Sequence, residues 1–216
     1  MKRQAKSQRI ARPERGGRGG RGSRESRGGR GGRGGRGQQG VLSAGRSNAG
    51  GALDRFLDYA LSKGADEAKI IKASTVTCAA WVRLKCQFGC GGYGKRLTCP
   101  PFTPRPEETA AVVACYKRAI LLHGSDPESI NGVVPRLERE IFLAGYYKAL
   151  GLGSGPCHRC NRCNIKSRCV HPYTARPAME ACGIDVYATA RANGLRIKVV
   201  TGHRQQGDYY GLVLVD

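Results

Sequence analysis

Acidic residues are scarce in this chain: 16 Asp and Glu stand against 37 Lys and Arg over 216 residues, giving a formal net charge of +21. That imbalance suits polyanionic partners. Long hydrophobic runs are also missing. Nowhere do about 18 apolar residues follow one another, as a spanning helix requires, and the first thirty residues lack the apolar stretch of a secretory signal. These absences predict a cytoplasmic protein with no membrane partner. Aromatics are thin too, with one Trp (Trp81), four Phe and nine Tyr, so the folded part offers no obvious base-stacking surface for RNA. No phosphate-binding glycine loop, metalloprotease helix or nucleophile–base pair is readable from spacing, and whether the protein is an enzyme stays undecided at this level. Glu138, Glu140 and Asp185 are the acid–base candidates, with surface or capping roles favoured for each.

What the chain does have divides it in two. Residues 1–50 carry fourteen Lys and Arg against two acids, Glu14 and Glu25, and from Arg9 to Arg36 an arginine recurs at every third position among glycines and serines. Little there is apolar enough to offset the entropy of ordering, so the segment is expected to be a disordered Arg-Gly-rich tail. Collagen is excluded because Pro13 is its only proline and Gly does not hold every third place. Arginine forks match phosphate and stack on bases, so the tail resembles the RGG boxes of RNA-binding proteins, with nonspecific RNA or another polyanion as partner. A solvated tail without a dedicated partner is the competing reading.

Residues 51–216 are expected to form one cysteine-rich domain. Leu53, Phe56, Leu57, Ala60 and Leu61 recur at helical spacing, predicting a helix over 52–63. A strand is expected near 68–73, a helix from Pro106 to about Cys115, and a strand at 119–123. Val134, Leu137, Ile141 and Ala144 mark one face of a third helix, and "ALGLGSG" an extended stretch after it. Pro177 and Glu180 are read as opening a fourth helix whose inner face carries Met179, Cys182, Val186 and Ala190. Leu195, Ile197 and Val199 alternate with cations as a half-buried strand, and "YYGLVLVD" reads as a buried one. The sum predicts an α/β or α+β helix–strand sandwich bearing two cysteine-rich loops.

All ten cysteines lie in this second part. In a reducing cytoplasm, clustered thiols argue for metal ligation ahead of disulfides. "GPCHRCNRCNIKSRCVHP" places Cys157, Cys160, Cys163 and Cys169 within thirteen residues, with Pro172 beyond. Three cysteines two residues apart followed by a fourth and a proline come close to the bacterial ferredoxin run, so a four-iron iron–sulfur cluster is the leading cofactor. Zinc is second, because zinc modules usually separate two Cys-x2-Cys hooks by a longer loop. Arg159, Arg162, Lys166, Arg168 and His171 would surround the cluster's negative charge. Covalent haem is excluded, since Asn161 and Asn164 occupy the places where that motif needs His.

Upstream, "CQFGCGGYGKRLTCPP" gives Cys86, Cys90 and Cys99, with glycines that let the backbone turn tightly. Three ligands imply an incomplete site whose fourth partner comes from solvent, substrate or elsewhere in the chain. Cys182 is the distant candidate, and it doubles as a core filler on an apolar helix face. Cys78 and Cys115 are read as structural, and His158 and His171 as hydrogen-bonding or charge-balancing neighbours.

The stretches "VRLKCQFGCGGYGKRLTCPP", "LEREIFLAGYYKAL", "GPCHRCNRC" with "CVHP", and "RPAMEACGIDVYATA" resemble the family known as domain of unknown function 2284, from about Leu53 to the C-terminus. The resemblance implies metal ligation by Cys86, Cys90, Cys99, Cys157, Cys160, Cys163 and Cys169, with no settled reaction. The resulting expectation is a cytoplasmic iron–sulfur protein in electron transfer or reductive activation of a redox partner protein. Two readings compete with it: an enzyme with an open metal site at the first group, and a zinc-structured protein whose tail binds RNA.

Overall fold

A computed structural model describes residues 51–202 and 204–216; the expectations for the Arg-Gly tail lie outside them. The described chain runs α1 (Asp54–Ser62), β1 (Glu67–Lys72), α2 (Ala80–Gly89), α3 (Pro106–Val113), β2 (Arg118–Gly124), α4 (Pro127–Leu143), β3 (Leu150–Leu152), α5 (Val186–Ala192) and β4 (Tyr209–Leu214). The strands form one antiparallel sheet in the order β1-β2-β4-β3. The class is therefore α+β.

Both faces of this sheet are covered, and the alternation of side chains along a strand decides which layer each residue joins. On β2, on β4 and just beyond β4, Ile120, Leu122, Val213 and Val215 pack with Val133, Val134, Leu137 and Ile141 of α4 and Phe56 and Ala60 of α1. Ala119, Leu121, Leu212 and Leu214 face the other way, onto Met179, Cys182, Ile184, Val186 and Ala190. Strands sandwiched on both sides read as continuous apolar runs even when antiparallel, which explains "YYGLVLVD". Helix α4 lies close on the sheet because position 211 is glycine: a β-carbon there would come within 2.7 Å of Ile130 Cγ2 and Val134 Cγ2. Among the described residues no helix is long and apolar enough to cross a membrane.

Three expectations fail. The helix expected to open at Pro177 is instead a single 3-10 turn, Glu180–Cys182, then Gly183 at φ +79°, and only then α5. Gly183 ends the turn in the left-handed region, and Asp185 restarts the chain by capping the N–H of Ala188 at 2.9 Å. The strand expected over 195–199 does not form. Its polar groups go to side chains: the Lys198 N–H donates to Asp208 Oδ2 at 3.0 Å, and the Arg196 carbonyl accepts from the Tyr210 hydroxyl. Cys115, read as structural in apolar surroundings, is exposed, with its thiol donating to the Ala111 carbonyl at 3.4 Å.

Candidate metal centre

Helix α2, absent from the sequence reading, carries the first thiol. Arg83 fixes this helix with four donated hydrogen bonds, to Thr103 Oγ1 (3.1 Å), the Thr103 carbonyl (3.1 Å), the Pro104 carbonyl (3.2 Å) and the Ala181 carbonyl (3.3 Å). A guanidinium presents a rigid fork of donors, so it ties three chain segments together where no sheet reaches. Cys86 lies three residues on, hence on the same helix face, and its thiol points at the Glu180 carbonyl, 3.7 Å away. Cys90 caps α2 and accepts from the Gly92 N–H at 3.4 Å. A β-carbon at position 92 would sit 3.5 Å from both Cys90 Sγ and Cys99 Sγ, so the glycine passes close by two of the three sulfurs. Burial, with the neighbouring thiols adding to it, pushes the Cys86 and Cys99 thiols up from their ordinary range.

The second group hangs from α4. Pro135 stands inside that helix and has no N–H, which leaves the Asn131 carbonyl without its usual donor. Arg159 supplies one from within the cysteine loop, at 3.2 Å. The Asn131 side chain meanwhile holds both backbone groups of Ser154, donating to its carbonyl (2.7 Å) and accepting from its N–H (2.9 Å). At the loop's exit Arg176 grips Glu138 of α4 with two bonds, 2.5 and 2.8 Å. Helix α4 therefore clamps the loop at its entrance and its exit. Glu138 is a strut, Glu140 pairs with Arg139 at the surface (3.2 Å), and Asp185 is a cap.

Between those clamps Cys157, Cys160, Cys163 and Cys169 all line one small cavity of about 20 Å³, together with Arg96, Arg159 and His171. Backbone N–H groups point at two of the sulfurs: Leu97 donates to Cys163 Sγ and His171 to Cys169 Sγ, each at 3.4 Å. The first of these bonds comes from the segment between Cys90 and Cys99. Cys99 and Cys157 lie close enough for charge on one to act on the other. The two groups, read from the sequence as separate loops, thus meet in one thiol-rich end of the domain. All ten cysteines are free of disulfides. Among the described residues no three Cys, His, Asp or Glu side chains gather tightly enough to hold a single metal ion.

A four-iron cluster asks for four thiolates around a body larger than one ion, for N–H donors to sulfur and for nearby positive charge. The residues on the cavity of the second group supply the four thiols, the N–H donors and the positive charge of that request. The first group offers three thiols and an open side. Cys182 sits 2 % exposed in the core with its thiol pushed up to about 12 by burial. His158 borders the neighbouring polar cavity and not the four-cysteine one.

Glu180, Arg83, Asn131, Pro135 and Arg176 shape the site and were not singled out from the sequence. For Pro135 a signal existed: a proline inside a helical pattern frees a carbonyl four residues earlier. Glu180 had been read only as a helix opener, whereas its Oε2 is buried without a hydrogen-bond partner. Burial pushes its carboxyl above the ordinary range.

No curated protein and no solved structure is detectably similar to this chain. One family matches, over residues 69–215, under the description "Predicted metal-binding protein (DUF2284)". Helix α1, which the resemblance in sequence had included, falls outside that match.

Proposed function

From the premise that this chain belongs to the DUF2284 family of predicted metal-binding proteins, we propose that Cys157, Cys160, Cys163 and Cys169 hold an iron–sulfur cluster of the four-iron type. The protein then serves electron transfer or the reductive activation of a partner protein in the cytoplasm. The observation that carries this reading is the meeting of four thiols on one cavity with peptide N–H groups on two of the sulfurs. When bound, such a cluster supplies one-electron redox chemistry. The chain's own part is to hold the thiolates and to tune them: N–H donors stabilise negative sulfur, and Arg96 and Arg159 offset its charge.

Zinc remains the alternative metal. A zinc–sulfur bond of about 2.3 Å would put tetrahedral sulfurs only about 3.8 Å apart. Protein purified without oxygen should be brown, carry close to four iron and four sulfide per chain, and absorb broadly near 400 nm in a band that dithionite bleaches. A colourless preparation with stoichiometric zinc would overturn the proposal. Serine at Cys160 or Cys163 should remove most of the iron.

A second reading is favoured by the open side of the first group: Cys86, Cys90 and Cys99 hold a metal with one position free for substrate. Serine at these three positions would then lower metal content, and unchanged content removes the basis of the idea. Cys182 belongs on this reading to the apolar layer, where its burial opposes thiolate formation. The Arg-Gly tail is proposed to bind RNA or another polyanion nonspecifically, an affinity that deletion of residues 1–50 should abolish.

A further inference from the structure

A cavity of about 890 Å³ opens between chain segments 90–96 and 156–166. Small-molecule sites commonly occupy about 300–1,000 Å³. One segment belongs to the first thiol group and the other to the second, and Cys90 and Cys163 both border the space. Four cations line it, Lys95 and Arg96 from one segment and Arg162 and Lys166 from the other. Among the described residues no Asp or Glu borders it.

Those charges have little else to answer them. Among the described residues none of the four forms an ion pair. Arg96 also borders the four-cysteine cavity, beside Arg159, but Lys95, Arg162 and Lys166 do not. Arg162 and Lys166, expected from the sequence to surround the cluster, line this second space instead. Like charges around one concavity add their potentials and focus them on whatever enters. Part of the wall is bare peptide: a β-carbon at Gly91 or Gly94 would meet nothing within 4 Å, so a guest approaches the backbone there without displacing a side chain. No Trp, Tyr or Phe lines the cavity, so nothing in it would stack a nucleobase. Its size and lining favour a compact anion over a nucleic acid.

We propose that this cavity binds a small, non-aromatic molecule carrying at least two oxyanion groups, either phosphate esters or carboxylates. Arginine forks take both kinds with paired hydrogen bonds and lysines meet them as point charges, so the two sources share one chemistry. The inference goes beyond the iron–sulfur reading and does not rest on it, because the walls and their cations belong to the chain without any metal.

Residues 1–50 carry fourteen cations of their own, so the measurement has to be local. Amide hydrogen exchange in peptides from 90–96 and 156–166 is followed in full-length protein, as isolated and at fixed ionic strength. The probes are fructose 1,6-bisphosphate, tricarballylate, fructose 6-phosphate and a polyglutamate peptide. The bisphosphate or the tricarboxylate should protect both segments saturably, with a Kd at least about tenfold below that of the monophosphate. Whichever of the two binds more tightly identifies the source. Joint replacement Arg162→Ala and Lys166→Ala should raise that Kd at least about tenfold and Lys95→Ala about threefold, while Lys63→Ala, at the end of α1, should leave it unchanged. If circular dichroism shows the double variant to be unfolded, Lys95→Ala decides in its place. No saturable protection, a monophosphate that binds as tightly, or protection by polyglutamate alone, which would mark an acidic protein partner, overturns the proposal. Iron and sulfide content, measured on the same sample, separates this outcome from failure of the cluster assignment.

Discussion

Along β2, every residue from Ala119 to His123 is buried and paired across a ladder on both sides. Between Gly155 and Ala175, four backbone hydrogen bonds span at most four residues each, and Val170 and Tyr173 stand 61 % and 88 % exposed. The first region is held by burial, so its folding needs nothing that the sequence does not supply. The second has almost no core. It is pinned at its two ends by Asn131 and Glu138 of α4, and its middle is organised around sulfur. The contrast teaches that thermodynamic stability and candidate chemistry are assigned to different ends of one domain, with α4 as the shared support.

The largest expected effect tests the core end. Leu121→Ala should cost about 2–5 kcal/mol in denaturant unfolding, whether or not metal is present. A loss that vanishes on metal loading would break the separation. At the junction, Gly183→Ala must accept φ +79° and place its β-carbon 2.5 Å from Pro106 Cγ. About 1–3 kcal/mol is expected to be lost, and α2 should shift, as read by Trp81 emission. Metal removal sharpens the other side: chelation under anaerobic conditions should raise protease cutting within residues 155–172 at least about tenfold while the far-ultraviolet signal of the sheet persists. Equal protection with and without metal would count against a loop ordered by its ligands.

The smallest effect concerns Asp208. Burial works against its carboxylate, but His123 Nε2 at 2.9 Å, the Lys198 N–H and nearby Arg196 together hold it below the usual carboxylate range. A depressed native value contributes stability that is complete above the unfolded value, about 3.9, and is lost as pH falls through the native one. Asp208→Asn should therefore cost about 1 kcal/mol at pH 7, with the gap to the parent protein closing below about pH 4. A gap that stays constant with pH would show that packing, not charge, is what Asp208 supplies.

Much of the layered fold was legible because burial leaves a period in the chain. Val134, Leu137 and Ile141 gave α4, and the unbroken apolar run gave β4. Helix α2 went unread although Trp81, Leu84 and Phe88 keep helical spacing: that face is exposed, the helix buries only Val82, and the glycines after it suggest a loop. The alternation at Leu195, Ile197 and Val199 predicted a strand, yet pairing is settled by which backbone groups find partners, and a carboxylate and a phenol took them. At the candidate centre the cysteine spacing was readable by itself. That the two groups adjoin was not, because the contact is made by segments far apart in the chain, Leu97 and Cys99 on one side and Cys157 and Cys163 on the other. Glu180 was equally hidden, since a carboxyl that is buried and unmatched looks in sequence like any helix-opening acid.

The bond from the Leu97 N–H to Cys163 Sγ joins chain segments 66 residues apart. If both thiol groups hold metal, as proposed, this peptide links them: occupancy of the second group changes affinity at Cys90 and Cys99 by the same factor as occupancy there changes affinity at the second group. Titration with iron should accordingly deviate from independent sites, and Leu97→Pro, which deletes the donor, is the substitution that would uncouple them.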